Sequence, residues 1–482
     1  MKIVLVQCPM FNVRMPQLGP AYLKSILEIN GNEVEQFDYN IALYNSLGQE
    51  HRKYWDYAFE SKWAKNTIYV ESKDNSATEE IPFLTEALIE DWAKKILSTN
   101  PGLIGFTVFF TSLYVSFRLA RKIKELDKSS KIIFGGPFIM SLLEISQDKI
   151  IDFEPVVGDL LNTIDFIAVS EGEETILEVV ERLEHRNSMY GCEGIILKDK
   201  GISVINDLRP LLKDIDTLPF PDFSVLRSQQ FTDKNFLPIL TSRGCPNRCT
   251  FCDFPYLDRF RLRCREPQNV LMELKSQIKK YNTELFHFND ATINADPRIL
   301  AKLCDLIISE RIFIRWGASA SISENMDRAL FTKLRQSGCE YLSFGIESAS
   351  PKVLMDMKKP FTVETAKKNV VDCHNSGISV CTNWILGYFT ETEEDFGRTI
   401  DFINENTEHI DEMDAALFFV KPHTYVYDNR ERLGVSLDNN FMWSTADDGN
   451  SYEIRLKRLE RFRENQRRLG ANINERIGGL RE

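Results

Sequence analysis

Three cysteines, Cys245, Cys249 and Cys252, stand at CxxxCxxC spacing in the stretch TSRGCPNRCTFCDFP, residues 241–255. The apolar run at 236–240 directly before them reads as a short buried strand, and Gly244 and Pro246 bend the chain after it. The three sulfurs therefore sit on one loop at a strand's carboxyl end. Thiolates grouped in this way suit soft metals, and iron–sulfur clusters are held by cysteine runs of this kind. A four-iron cubane on this loop keeps one iron without a protein thiolate. Zinc asks for four ligands, commonly from a second CxxC or HxxxH pair. The remaining cysteines, Cys8, Cys192, Cys264, Cys304, Cys339, Cys373 and Cys381, are scattered singly and form no such pair. The cluster is the better reading.

A chain of 482 residues is long enough for two or three domains. With 43% hydrophobic and 27% charged residues it has the composition of a globular protein. No apolar run approaches the ~20 residues that span a bilayer. The N-terminal MKIVLVQCPMF reads as a first strand rather than a signal peptide. Ten cysteines without a framework spacing point to a reducing, cytoplasmic setting. A net charge of −12 argues against an extensive nucleic-acid footprint.

Two runs of alternating strand and helix must position the loop and whatever it serves. In the first, strands are expected at 2–7, 34–38, 101–110, 131–134 and 165–169, with helices at 21–29 and 112–126 and another opened by 170–174. This alternation predicts an α/β fold, a doubly wound, Rossmann-like parallel sheet with its ligand at the strands' carboxyl ends. Residues 41–98 form an aromatic-rich insertion, including Tyr44, Trp55, Tyr57, Phe59, Trp63 and Trp92, to which no function is assigned. Residues 191–235 read as a linker, with a hairpin at 194–205 and a proline-rich crossing at 216–223. The second run has expected strands at 237–241, 284–289, 313–317, 341–346, 379–386 and 415–420. Six βα units make a partial TIM barrel, with chemistry at its carboxyl-terminal mouth. The expected domains are thus 1–190, the linker, a barrel at 236–425 and a helical extension at 426–482, whose charged helix covers 454–468.

With Phe251 before the last cysteine, the loop resembles the CxxxCxΦC signature of the radical S-adenosylmethionine (radical SAM) superfamily. The resemblance implies a 4Fe-4S cluster on the three cysteines and S-adenosylmethionine chelated at the open iron. It also implies reductive cleavage to a deoxyadenosyl radical and an electron donor such as flavodoxin or ferredoxin. By position, Asn289 and Asp290 stand where the family usually has an acidic pair near the S-adenosylmethionine amino group, and Asn289 departs from it. Arg263 and Arg265 occupy the family's RxR and are expected to pair with a carboxylate. Ser319 and Ser321 replace a frequent arginine at the third strand's end. Glu347 and Ser348 match the GxES element, which reaches the ribose or methionine part. Leu386 lies in NWILGYFTETEED, similar to the strand end near adenine, where the family's LPGET reads YFTET.

The first run resembles the cobalamin-binding domain that precedes the radical domain in one large subclass. The likeness rests on Leu18-Gly19-Pro20, EINGNEVEQFD, GFTVFFTSL, FGGP and VSEGEET. It implies a corrin ring lined by Gln17, Leu18, Thr107, Thr111, Ser112, Gly135, Gly136, Glu171 and Gly172. The DxHxxG motif that supplies a lower axial histidine elsewhere is absent, which implies base-off cobalamin without a histidine ligand. The function implied is methylation of an unactivated carbon on a small-molecule or peptide substrate. The rival within the superfamily is radical oxidation, cyclisation or rearrangement without methyl transfer. A tRNA methylthiotransferase would bring three further cluster cysteines and a basic tail, and neither is in the sequence. A non-catalytic cluster or cobalamin sensor is the alternative from another class, and the completeness of the loop and barrel argues against it.

Overall fold

Strand β1 (Lys2–Gln7) pairs in parallel with both β2 (Glu33–Asp38) and β3 (Leu103–Thr107), and this splits the first sheet into two wings. The structure is a computed structural model that describes residues 1–56, 63, 81–146, 149–153, 155–227, 230–232, 236–438, 443–445 and 449–470. Its chain divides into two compact units, Met1–Asn235 and Phe236–Glu482.

In the first unit, β4 (Ile132–Gly135) follows β3, while β5 (Leu143–Ser146) and β6 (Lys149–Phe153) make a separate hairpin. The sheet continues through β7 (Phe166–Ala168), β8 (Ile195–Asp199) and β9 (Ile202–Ile205), giving the order β2-β1-β3-β4-β7-β8-β9. β8 and β9 run antiparallel. The hairpin expected in a linker is therefore the far wing of this sheet, which is mixed rather than all parallel. Its apolar residues explain why: Ile195 and Leu197 join the core cluster of Ile3, Leu5, Leu27, Leu103, Phe166 and Val179. The strand expected at 101–110 stops at Thr107, because Phe109 and Phe110 already belong to the turn into helix Leu113–Leu126. Tyr57 and Phe59 of the insertion lie outside the described residues.

The second unit is a six-stranded, all-parallel sheet: β10 (Leu237–Ile239), β13 (Leu285–Phe288), β14 (Arg315–Ala320), β15 (Cys339–Glu347), β16 (Ser379–Leu386) and β17 (Glu412–Leu417), in that order. The short strands β11 (Ser242–Arg243) and β12 (Arg263–Cys264) pair beside the cysteine loop. Alternate residues take opposite faces of a strand. Ala318, Leu342, Phe344, Trp384 and Met413 are buried under helices, with Phe344 against Phe331 and Trp384 against Phe402. On the other face, Ser319 lies beside Ser343, and Gly345, Asn383 and Asp414 form a row. That polar, partly open face is the lumen.

Two strands begin elsewhere than the sequence suggests. β14 starts at Arg315 rather than 313, and Phe313 is exposed at its foot; the small residues of WGASAS, poor strand formers, suit a crowded lumen. β17 starts at Glu412, since its acidic residues are tolerated where the strand faces a polar interior. Among the described residues no helix is long and apolar enough to cross a membrane.

Candidate active site

The cysteine loop leaves β10 through a tight path that only glycine allows. Gly244 has φ +95°, and a Cβ there would lie 2.1 Å from the Arg261 carbonyl oxygen. The Asp290 carboxylate fixes the loop's root, accepting from the Thr241 amide and hydroxyl and from the Ser242 hydroxyl at 2.6–3.1 Å. Burial raises the Asp290 pKa against these hydrogen bonds. Further along, Thr250 anchors the loop to the barrel. Its amide donates to the Met357 carbonyl at 3.1 Å, its hydroxyl lies 2.7 Å from the Tyr388 hydroxyl, and its carbonyl accepts from the Val426 amide. Asn247 donates to the Ser321 hydroxyl at 3.1 Å.

All ten cysteines are free thiols, and Cys245, Cys249 and Cys252 are the half-buried ones on this loop. Burial raises the pKa of each, that of Cys252 to about 11. Lys359 opposes this at Cys245 and Cys249. Its ammonium lies 3.1 Å from Glu347 and 5.4 Å from the Phe251 ring centroid. Burial works against the Lys359 charge, but Glu347 and the Cys249 and Cys252 sulfurs outweigh it and raise its pKa. Among the described residues no three His, Cys, Asp or Glu side chains converge on a single ion, as a mononuclear zinc site would require. A cubane instead takes one thiolate on each of three irons and leaves the fourth open, and a loop with three thiols beside a buried cation fits that demand.

The remaining barrel residues divide in two. Asn289, exposed at the end of β13, and half-buried Ser319 and Glu347 stand at the lumen's carboxyl end. Glu347 holds φ +71°, an uncommon conformation for a side-chain-bearing residue at a strand end. Three others are turned inward. Arg265 is buried, forms an ion pair with Glu273 at 2.6 Å and donates to the Leu240 carbonyl, so the carboxylate it pairs with is the protein's own. Ser348 is fully buried, its hydroxyl accepting from the Ser350 amide, and Leu386 is buried on the helix-facing side of β16. Lys359 gave no sequence signal, since a lysine before proline has no distinctive spacing. Asp414 was readable only with the correct start of β17; burial and then Glu412 push it up to about 6.

In the first unit, the strand order reverses between β1 and β3, the switch point at whose carboxyl ends open parallel sheets bind their ligands. Gly136 (φ +114°) closes in on Val108 there, where a Cβ would meet backbone atoms at 2.7 Å. Gly135, Gln17, Thr107 and Gly172 are half-buried around this edge, whereas Leu18 is buried at the start of its helix. Three expected contacts are already committed within the protein. Thr111 donates to the Met10 carbonyl, Ser112 accepts from the Phe109 amide, and Glu171 accepts from the Leu212 amide. Polar capacity comes from elsewhere. Gln7, at the end of β1, is fully buried and neither atom of its amide has a partner among the described residues; the Ser170 hydroxyl, at the end of β7, is likewise unpartnered among them. An amide-rimmed ring such as a corrin fits this donor and acceptor set.

Residues 239–403 match the radical SAM superfamily. They form a radical SAM domain. The chain is 26% identical over 314 residues, 65% of its length, to an uncharacterized methyltransferase of Pyrococcus horikoshii, covering 66% of that protein. It is 23% identical over 329 residues to the anaerobic magnesium-protoporphyrin IX monomethyl ester cyclase of Rubrivivax gelatinosus, covering 66% of this chain and 56% of the cyclase. It thus spans less than two thirds of the length of these curated relatives. Its fold is similar to that of the radical S-adenosylmethionine methyltransferase TsrM from Kitasatospora setae, solved with cobalamin and a [4Fe-4S] cluster bound. The TM-score is 0.65 at 17% identity, over 91% of this chain and 76% of that one. The radical SAM domain carries all three cysteines and β11 to β16.

Proposed function

We propose that the chain is a cobalamin-dependent radical SAM enzyme that methylates an unactivated carbon of a small-molecule or peptide substrate. The observation that carries this reading is the Cys245–Cys249–Cys252 loop at the mouth of a parallel barrel, in a chain whose other unit is a sheet with its strand order reversing at β1/β3. The three cysteines would hold the cluster, and Gln7, Ser170, Gly135 and Gly136 would meet the corrin. When bound, the cluster supplies the electron that cleaves S-adenosylmethionine reductively, and cobalamin supplies a methyl-carrying cobalt.

The chain's own residues bind, orient and exclude. Lys359 supplies a buried cation beside Cys249 and Cys252, facing a carboxylate or sulfur ligand. Asn289, Ser319 and Glu347 offer hydrogen bonds at the lumen's rim. Asn383 donates to Ser343 at 2.7 Å and orders the polar row that includes Asp414, where a substrate or nucleoside hydroxyl would be held. The buried face of the barrel keeps these positions rigid, which favours attack at one carbon over another.

A second reading, radical cyclisation or oxidation without methyl transfer, is favoured by the likeness to the magnesium-protoporphyrin cyclase. Anaerobic incubation of the reconstituted protein with S-adenosylmethionine and a reductant separates the two. The methyltransferase forms S-adenosylhomocysteine, one equivalent even before an acceptor is present, together with 5′-deoxyadenosine. Formation of 5′-deoxyadenosine alone would overturn methyl transfer and leave the second reading.

A further inference from the structure

The inward face of the barrel carries one carboxylate that the protein leaves unanswered. Asp414 lies mid-strand on β17, three residues before the strand's end at Leu417. At the rise of a strand, that sets it about 10 Å below the mouth. One step deeper on the same face, Tyr341, Cys381 and Glu412 are buried and form a floor. Ser343, Asn383 and Asp414 are half-buried above that floor, and so are Gly345, Ile385 and Ala416 one step nearer the mouth. Solvent thus reaches this face from the level of Asp414 upward and not below it.

Strands β15, β16 and β17 contain no lysine or arginine. Asp414 makes no side-chain hydrogen bond and no ion pair among the described residues. Burial and then Glu412 oppose its ionisation, and no cation among those residues works the other way. Its neighbours, by contrast, are committed. Asn383, directly beside it in register, donates to Ser343 at 2.7 Å, and the Lys359 ammonium is taken by Glu347 and the Gly345 carbonyl. A carboxylate withdrawn from water without a partner costs stability. Such a group, held within a concave site, marks a position where a ligand supplies the missing partner. Gly345 and Asp414 stand in register on either side of β16, two strand spacings or about 10 Å apart. The carboxylate therefore lies across from the strand end that Lys359 ties to the cysteine loop.

We infer that Asp414 receives the substrate, and that the substrate is a primary amine whose ammonium pairs with this carboxylate. The inference rests on the radical SAM reading of the site, and it assigns the level of Ser343, Asn383 and Asp414 to the substrate rather than to the nucleoside. An ammonium supplies what this position lacks, a positive charge with three donors. A hydroxyl would bring one donor and leave the charge unmet. Depth selects the form of the group: an unbranched stem, such as an alkylamine or a lysine side chain, reaches below the mouth where a peptide backbone does not. Pinned by its nitrogen, the substrate extends upward past Gly345 and Ala416 toward the cysteine loop, which fixes the carbon that meets the radical.

The probes are n-butylamine, its neutral isostere n-butanol, and a blocked acetyl-Ala-Lys-Ala-amide peptide, each titrated onto the anaerobically reconstituted full chain with S-adenosylmethionine present. Saturation-transfer NMR reads each probe's affinity, and equilibrium dialysis reads that of S-adenosylmethionine. The native protein should bind butylamine at least about tenfold more tightly than butanol, the difference that a charge-assisted hydrogen bond makes. Asp414→Asn, which keeps the shape, should erase that preference, and Asp414→Glu, which keeps the charge, should retain it. Iron content and thermal midpoint report that both variants are folded. Peptide binding with the same dependence on Asp414 supports the proposal and places the amine on a lysine side chain; butylamine binding alone supports it with a small-molecule amine. No amine preference in the native protein, or a preference that survives Asp414→Asn, would overturn the proposal. A loss of S-adenosylmethionine affinity in Asp414→Asn would overturn it too, by making Asp414 a nucleoside contact. If the native protein takes up no cluster at all, the radical SAM reading fails instead, and the amine titration still tests Asp414.

Discussion

Lys359 and Glu347 form an ion pair 3.1 Å apart, with side chains only 9% and 13% exposed, against the loop that carries the cysteines. The Lys359 ammonium also donates to the Gly345 carbonyl at 2.9 Å, so one cation ties the end of β15 to the cysteine loop. Removing one partner of a buried pair leaves an uncompensated charge. Lys359→Met should destabilise the barrel by about 3–5 kcal/mol, and Lys359→Met/Glu347→Gln should recover most of that loss. Urea unfolding of the two variants checks both numbers. A single-variant cost below about 1 kcal/mol would show that water reaches the pair.

Gly136 tests the first unit separately. Its φ of +114° and the 2.7 Å that would separate an added methyl from the Val108 backbone leave no room for alanine. Gly136→Ala should therefore displace the loop after β4 and lower cobalt retention severalfold, with the iron count of the reconstituted protein unchanged. Metal analysis after desalting reads both at once.

Gly387 plays a comparable part in the barrel, at φ +76° where β16 ends. A Cβ there would lie 2.4 Å from Cγ of Arg455, a buried arginine stacked 3.8 Å over Trp443. The C-terminal helix Tyr452–Arg468 thus closes on the strand end, and Arg458 adds a 3.1 Å pair to Glu391. Gly387→Ala should cost at least about 1–2 kcal/mol from the left-handed backbone alone, read as a lower thermal midpoint.

Helix Glu393–Glu405 begins with a capping box between Thr392 and Asp395. Burial opposes ionisation of Asp395, but hydrogen bonds from Ser350, Thr392 and Lys352 outweigh it and hold its pKa at about 2, below the ordinary 3.8. A carboxylate whose pKa is lowered by folding stabilises fully above its unfolded value and loses that contribution as pH falls through its folded value. Asp395→Asn should cost roughly 2 kcal/mol at neutral pH. The gap from the native protein should hold above pH 4 and close as pH approaches 2, which denaturation curves across that range will show.

Strand alternation, the parallel barrel and the cysteine loop were legible because their signals are local: apolar runs between turns, and three thiols at fixed spacing. Site chemistry beyond the loop was less so, because a side chain's commitments are set by distant partners. Arg265 reads as an anion binder until Glu273, eight positions on, is seen to occupy it in the interior. Thr111, Ser112 and Glu171 carry the right atoms at the right strand ends, yet the loops spend them on their own backbone. Conversely, Gln7 looked like the last residue of an ordinary strand, and only its burial without partners marks it. Lys359 reaches the site across the turn after helix Pro351–Asp356, a proximity that no spacing rule encodes.

Anaerobic reconstitution with iron, sulfide and hydroxocobalamin, followed by desalting, a visible spectrum and counts of both metals, tests the proposed pairing of the two cofactors most directly. The expected result is about four irons and one base-off cobalamin per chain, with the irons lost from Cys245→Ala/Cys249→Ala/Cys252→Ala and the cobalt retained. A cluster without cobalt would contradict cobalamin-dependent methyl transfer, and irons that survive the triple substitution would contradict the site itself.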